Sequence, residues 1–297
     1  MQGTPFNERS FNEGGFYTQL QEGLTQWLTR LGYAESTTSG HNRRIGRFLA
    51  HLRKEGITRL EEVTAQTIEG YQKQVELLPV KSGTIASHIS SLRLFDRYLE
   101  SYGYRPIITT KLRTTPHMET PKTILSQEET QQLYKATDSG VSGYRDRAML
   151  AIYYGCGLRA SEGVDLQIGD LDFKSNLLQV RKSKTYRPRY VPMGGRVQED
   201  LKEWLAYGRP LALKVASDHV LVHSKGHYKG AAGFNDRLKK LAETAGITKD
   251  ITLHGLRHSI ATHLLENGMA LEQIRQFLGH HSLEVTQGYT HLVYEQF

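Results

Sequence analysis

Four stretches of the sequence carry side chains suited to an anionic substrate. In "YGCGLRASE", Arg159 follows a Gly-X-Gly turn, and Glu162 lies one helical turn further on. In "RKSKTYRPRYVP", Lys184 falls where two strand-like runs would join. "LHGLRHS" gathers His254, Arg257 and His258 at the start of a helix, and "LGHHSLEVTQGYTH" holds His280 and Tyr289. Each has an ordinary reading when taken alone. Arg159 could salt-bridge Glu162, Lys184 could be a solvated turn lysine, and Tyr289 is one of 16 tyrosines. Most tyrosines pack the ring and hydrogen-bond the hydroxyl. His254 and His258, spaced i, i+4, could hold a metal or cap a helix. The metal reading is the weaker one. A cation there would share a helix face with Arg257, and "HGLRH" lacks the glutamate of a zinc-protease HExxH helix.

Two kinds of element must position these groups. Residues 1–104 read as helices: Phe16, Leu20, Leu24, Leu28 and Leu31 recur every three or four residues, an amphipathic stripe. Ser36 and Thr37 are placed to cap a second helix running to about Gly56. A third follows Thr64, and a fourth, after Ser82, carries Ile85, Ile89, Leu92 and Leu99 on one face. The expectation is a bundle of four or five helices. Residues 105–125, rich in proline and threonine and without a period, read as an extended linker. Ser126 and Glu129 fit a capping box that opens a second domain, with a helix around Tyr144–Tyr154. "DLDF", "NLLQVRK" and "YRPRYVPM" read as strands, the last two as a hairpin joined near Ser183–Tyr186. From Arg196 the chain reads as helical again, broken by "HVLVHSKGHYKG". The expected fold is therefore mainly α: a helical bundle over 1–104, then a mixed α+β domain over 126–297 with a small antiparallel sheet.

Bulk composition narrows the setting. Over 297 residues, 38% hydrophobic and 23% charged content describes a soluble globular chain. No apolar run approaches a membrane span, and the opening MQGTPFNERS lacks a secretory signal's basic-then-apolar pattern, so the cytoplasm is the expected compartment. A single cysteine, Cys156, excludes an internal disulfide and reads as a small residue at a tight packing point. The net charge of +7 favours a polyanionic partner. Every charged residue from Lys174 to Arg196, Arg187 among them, is basic. Phosphate is the obvious neutraliser. Arg43, Arg44 and Arg47 cluster within one turn, Arg93 and Arg97 stand at i, i+4, and Arg237, Lys239 and Lys240 form a third basic group. All are candidate DNA contacts.

In their order along the chain, these motifs resemble the tyrosine recombinases, the phage integrase-like family, and most closely its Xer-type branch. The matching pattern is His-x-x-Arg-His at a helix start, then Leu-Gly-His and a closing Tyr-Thr-His. "GLRASE", "SIATHLLENG" and the Lys-x-x-Arg-x-Arg-x-Val-Pro run are similar too. The resemblance covers about 126 to 291 and extends more weakly to the N-terminal bundle, which looks like the family's SAM-like core-binding domain. It implies a site-specific recombinase acting on double-stranded DNA through a 3′-phosphotyrosine, without metal or ATP. It further implies a tetramer on DNA, homomeric or shared with a related recombinase, in the nucleoid. Carried over by residue, it makes Tyr289 the nucleophile, Arg159 and Arg257 the clamp on the non-bridging oxygens, and Lys184 the acid for the 5′-oxygen. His254 becomes the base or proton relay, His280 a phosphate donor, and Glu162 an acidic support for the catalytic bases. Ser183 and Thr185 stand where the family's glycines usually flank the lysine, which makes Lys182 a rival acid. A type IB topoisomerase and a non-catalytic DNA-binding protein of the same fold are the alternatives.

The residue types suit that chemistry. Attack on a phosphodiester piles negative charge onto the non-bridging oxygens, and arginine's planar, permanently charged fork meets two oxygens at once. Tyrosine's ordinary pKa of about 10 gives a neighbouring imidazole a task. A 5′-alkoxide leaves poorly, which gives the lysine one as well.

Overall fold

The computed structural model describes residues 15–78, 82–107, 123–181, 188–222 and 230–279. The chain divides into two compact units, Met1–Thr120 and Pro121–Phe297. In the first, four helices pack together: α1 (Gly15–Arg30), α2 (Glu35–Lys54), α3 (Ala65–Glu76) and α4 (Ser82–Ser101). The apolar stripe of α1 buries Phe16, Leu20, Leu24 and Leu28. Leu31 departs from the expected stripe and is 55% exposed, because the helix ends at Arg30 and Gly32 takes a left-handed φ of 77°. The start of α2 also differs: Ala34 is the N-cap, with no side-chain cap bond, and Ser36 and Thr37 lie inside the first turn. Thr64 does cap α3, its hydroxyl accepting from the Thr67 N–H at 3.2 Å. At the centre the Phe48 ring meets Tyr71 at 5.2 Å and Phe95 at 6.4 Å, both edge-on. Each such buried aromatic or leucine is worth roughly 1.5–3 kcal/mol, which is what holds a small bundle together.

The second unit opens with α5 (Gln127–Lys135). The Ser126 hydroxyl accepts from the Glu129 N–H at 3.2 Å, and the Glu129 carboxylate accepts from the Ser126 N–H at 2.7 Å. Next, α6 (Val141–Leu150) widens into a π-helical turn over Ala151–Gly155. From Ala148 to Tyr153 every side chain is buried, so this segment is the spine of the core. Cys156 is fully buried beside it, and burial pushes its thiol up to about 12. A short α7 (Ala160–Val164) precedes the sheet, in which β1 (Leu171–Asp172), β2 (Leu177–Val180) and β3 (Arg189–Pro192) pair antiparallel in that order. Leu178 faces Val191 and Val180 faces Arg189 across the β2–β3 pair. Helices α8 (Gly195–Glu203), α9 (Arg209–Ala212), α10 (Ala232–Thr244), α11 (Leu253–Glu266) and α12 (Leu271–Leu278) complete the unit. A second π turn, Trp204–Gly208, lies between α8 and α9, and the buried Trp204 indole donates to the Val220 carbonyl at 2.7 Å.

Candidate active site

Arg159 owes its position to the loop leaving the first π turn. Gly157 has φ +58°, and a Cβ there would sit 2.9 Å from Leu278 and 3.0 Å from Phe277. Only glycine fits without displacing α12. Arg159 then becomes the N-cap of α7, its backbone N–H donating to Glu162 at 2.9 Å. Its side chain reaches in two directions: NH1 donates to Glu162 Oε1 at 2.7 Å, and NH2 to the Gly279 carbonyl at 3.0 Å.

Arg257 rides on α11, whose first turn is fixed by Thr252 accepting from the Gly255 N–H at 3.0 Å. Arg257 is 1% exposed, and a guanidinium so deeply buried requires partners. It donates through NH1 to the Gly157 carbonyl at 2.6 Å and through NH2 to the Leu278 carbonyl at 2.7 Å. The loop before Arg159 and the end of α12 are thus pinned to one side chain. His254 lies three residues before Arg257 on the same helix and is exposed. Its ring meets that of His258 at 4.3 Å, edge to face.

Glu162 joins these groups. Buried to 5% exposure, it accepts from Arg159 and, in a two-pronged pair, from Arg189 NH1 at 3.0 Å and NH2 at 2.8 Å. Arg257 NH1 stands 3.8 Å from its Oε2. Burial alone would raise this carboxyl, but the Arg189 bonds and charge, with those of Arg159, outweigh it and hold the group at about 2. The result is three arginines around one ionised carboxylate, an excess of positive charge. Arg189 was absent from the site read off the sequence. The signal was available: along β3, Arg189 and Val191 share a face while Tyr190, 61% exposed, takes the other. An arginine on the buried face of a strand calls for an acidic partner.

Lys184, its rival Lys182, Arg187, His280 and Tyr289 lie outside the described residues. Gly279, directly before His280, is the left-handed C-cap of α12 at φ 66°. Among the described residues no cluster of His, Cys, Asp or Glu is fit to hold a metal.

The other basic candidates separate by environment. Arg43 and Arg47 on α2 and Arg93 and Arg97 on α4 are exposed. Arg44 is half-buried, its NH1 3.5 Å from the Ser91 hydroxyl, which His41 also meets at 2.9 Å. Arg237 is committed elsewhere: its Nε and NH2 grip the fully buried Asp146, Nε at 2.9 and 3.0 Å from the two oxygens. Lys239 pairs with Asp250 at 2.8 Å, and Lys240 is exposed.

Residues 123–296 match the phage integrase family, and residues 24–103 match the phage integrase N-terminal SAM-like domain. The chain is 33% identical over 252 residues to tyrosine recombinase XerC of Oceanobacillus iheyensis, covering 82% of each protein. Its fold is similar to that of XerH site-specific recombinase bound to a palindromic difH substrate in a post-cleavage complex. There the TM-score is 0.72 at 20% identity, with 93% of this chain and 81% of that one covered. It is likewise similar to a lambda integrase tetramer bound to a Holliday junction, with TM-score 0.70, 15% identity and coverage of 95% and 81%.

Proposed function

The chain belongs to the phage integrase family and is a site-specific tyrosine recombinase, and from that premise we propose that Tyr289 is its nucleophile, with Arg159 and Arg257 as the phosphate clamp. In this reading residues 1–104 are the core-binding domain, 105–125 the linker and 126–297 the catalytic domain. The Tyr289 oxygen forms a bond to the scissile phosphorus as the bond to the 5′-oxygen breaks. The phenol proton passes to His254, and Lys184 gives its proton to the departing oxygen, with Lys182 the alternative donor. His280 donates to a non-bridging oxygen. The covalent phosphotyrosine conserves the energy of the broken ester, so the 5′-hydroxyl of a second strand can reverse the step without ATP.

One observation carries this reading. The two arginines at the family's positions converge on a single buried carboxylate with a third arginine beside them, leaving the cluster cationic. A preorganised positive site stabilises the crowded phosphorus at no reorganisation cost, and one donor of this kind is worth about 10²–10³ in rate. The partner follows as double-stranded DNA carrying recombination sites, held by a tetramer of this chain or of this chain with a related recombinase, in the cytoplasm at the nucleoid. The tetrameric assembly of lambda integrase, a fold neighbour, is in keeping with it.

A nicked suicide duplex tests the assignment. Wild type should accumulate a covalent protein–DNA product that Tyr289→Phe does not form, and EDTA should leave the yield unchanged. Equal trapping by both proteins would remove Tyr289 from the role.

A further inference from the structure

Arg189 has no part in the reaction scheme, yet it makes the two-pronged pair with Glu162. Its side chain is 11% exposed on β3, and both terminal nitrogens are spent on Glu162, at 3.0 and 2.8 Å. Its Nε is buried with no hydrogen-bond partner, so the guanidinium is held by that carboxylate and by packing. The packing partner is Gly279. A Cβ at that glycine would lie 2.8 Å from Arg189 Cδ, 2.9 Å from Nε and 3.0 Å from Cζ. Arg189 therefore bridges Glu162 and the turn that leads into His280.

We propose that Arg189 is a positioning residue that occupies the Glu162 carboxylate and so limits that carboxylate's hold on Arg159 and Arg257, the ligands of the scissile phosphate. The proposal rests on the reading of those two arginines as phosphate ligands. A carboxylate and a phosphate compete for the same guanidinium N–H groups, and the two-pronged carboxylate pair is the strong geometry. Arg189 holds that geometry itself. Arg159 meets Glu162 through NH1 and its backbone N–H, and Arg257 stays at 3.8 Å, beyond hydrogen-bond reach. Without Arg189, Glu162 would be free to turn and take a fork from Arg159. The net charge of the four-residue cluster would also fall from two positive to one positive, three arginines less one glutamate becoming two less one.

The test is a single-turnover cleavage rate on the nicked duplex, read beside duplex affinity and melting temperature. Arg189→Gln should cleave about 10²-fold more slowly, the scale of one lost preorganised donor, with affinity little changed. The double variant Arg189→Gln/Glu162→Gln should cleave about tenfold faster than Arg189→Gln, because the competing carboxylate is gone and the two sites couple. A double variant no faster than the single, or a wild-type rate for Arg189→Gln, overturns the proposal. Should Arg189→Gln fail to fold, Arg189→Lys decides. It keeps the charge and one bond, and a rate within about tenfold of wild type is expected. A loss as deep as that of Arg159→Ala would overturn it. Wild-type rates for both Arg159→Ala and Arg257→Ala would instead remove the underlying reading, a result separable from any behaviour of Arg189.

Discussion

Glu162 has two oxygens and is approached by three arginine side chains and one backbone N–H, so its ionisation state governs the cluster. Its carboxyl is held at about 2 in the fold against 4.5 unperturbed. A depressed carboxyl contributes stability that is fully present above the unfolded value and is lost as pH falls toward the folded one. That difference corresponds to roughly 3 kcal/mol, lost between about pH 4.5 and 2. Urea unfolding of wild type and Glu162→Gln should therefore differ most at neutral pH and converge near the acid end; a constant gap would contradict the ion pairing. Arg257 carries a structural duty beside its proposed one. Arg257→Lys keeps a charge but cannot bridge the Gly157 and Leu278 carbonyls. Cleavage should fall about 10²–10³-fold. The melting temperature should drop too, since each carbonyl stranded in the interior costs about 1–3 kcal/mol.

At the scale of elements, a hydrogen-bonded line ties α11 to its surroundings. His263 is 4% exposed; Nε2 donates to the Leu125 carbonyl at 2.9 Å, and Nδ1 lies 2.9 Å from the Tyr154 hydroxyl. The Tyr154 hydroxyl can donate to Nδ1 only while the ring is neutral. Burial lowers its pKa, and the Leu125 bond and the charges of Glu266 and Glu128 only partly oppose this. The unfolded chain then binds a proton that the folded chain resists, so stability is full above about pH 6.5 and declines below it. Thermal melts from pH 7.5 to 5 should fall more steeply for wild type than for His263→Asn. Elements with strong local signals were legible in the sequence: the α1 stripe up to Leu28, a helix after Thr64, the Ser126 capping box, and the β2–β3 pairing. The π turn at Ala151–Gly155 was not, because an apolar run buried on all sides has no period to betray one extra residue in a turn. Arg159, Glu162 and Arg257 were legible as motif residues. The alternation along β3 set Arg189 on a buried face, but the carboxylate it pairs with lies 27 positions away in the chain.

For the whole molecule, positive charge divides between the surface and the interior. Arg43, Arg47, Arg93 and Arg97 are exposed, whereas Arg237 grips a buried aspartate. Replacing an exposed, phosphate-contacting arginine by alanine should reduce the slope of log affinity against log salt by about one. Arg237→Ala should leave that slope alone and destabilise the fold by at most about 3–5 kcal/mol, the cost of stripping a partner from a buried charge, with Arg145 left 3.5 Å from Asp146. Duplex titrations at several salt concentrations, paired with urea melts, distinguish the two. Cys156 has a practical corollary. The only thiol in the chain is sealed in the core and protonated far above neutral pH. A maleimide dye should pass the native protein by and react once it is unfolded. A cysteine introduced on the surface of either unit would then be the sole handle for a fluorophore, and recombination complexes could be followed by energy transfer without first editing the native sequence.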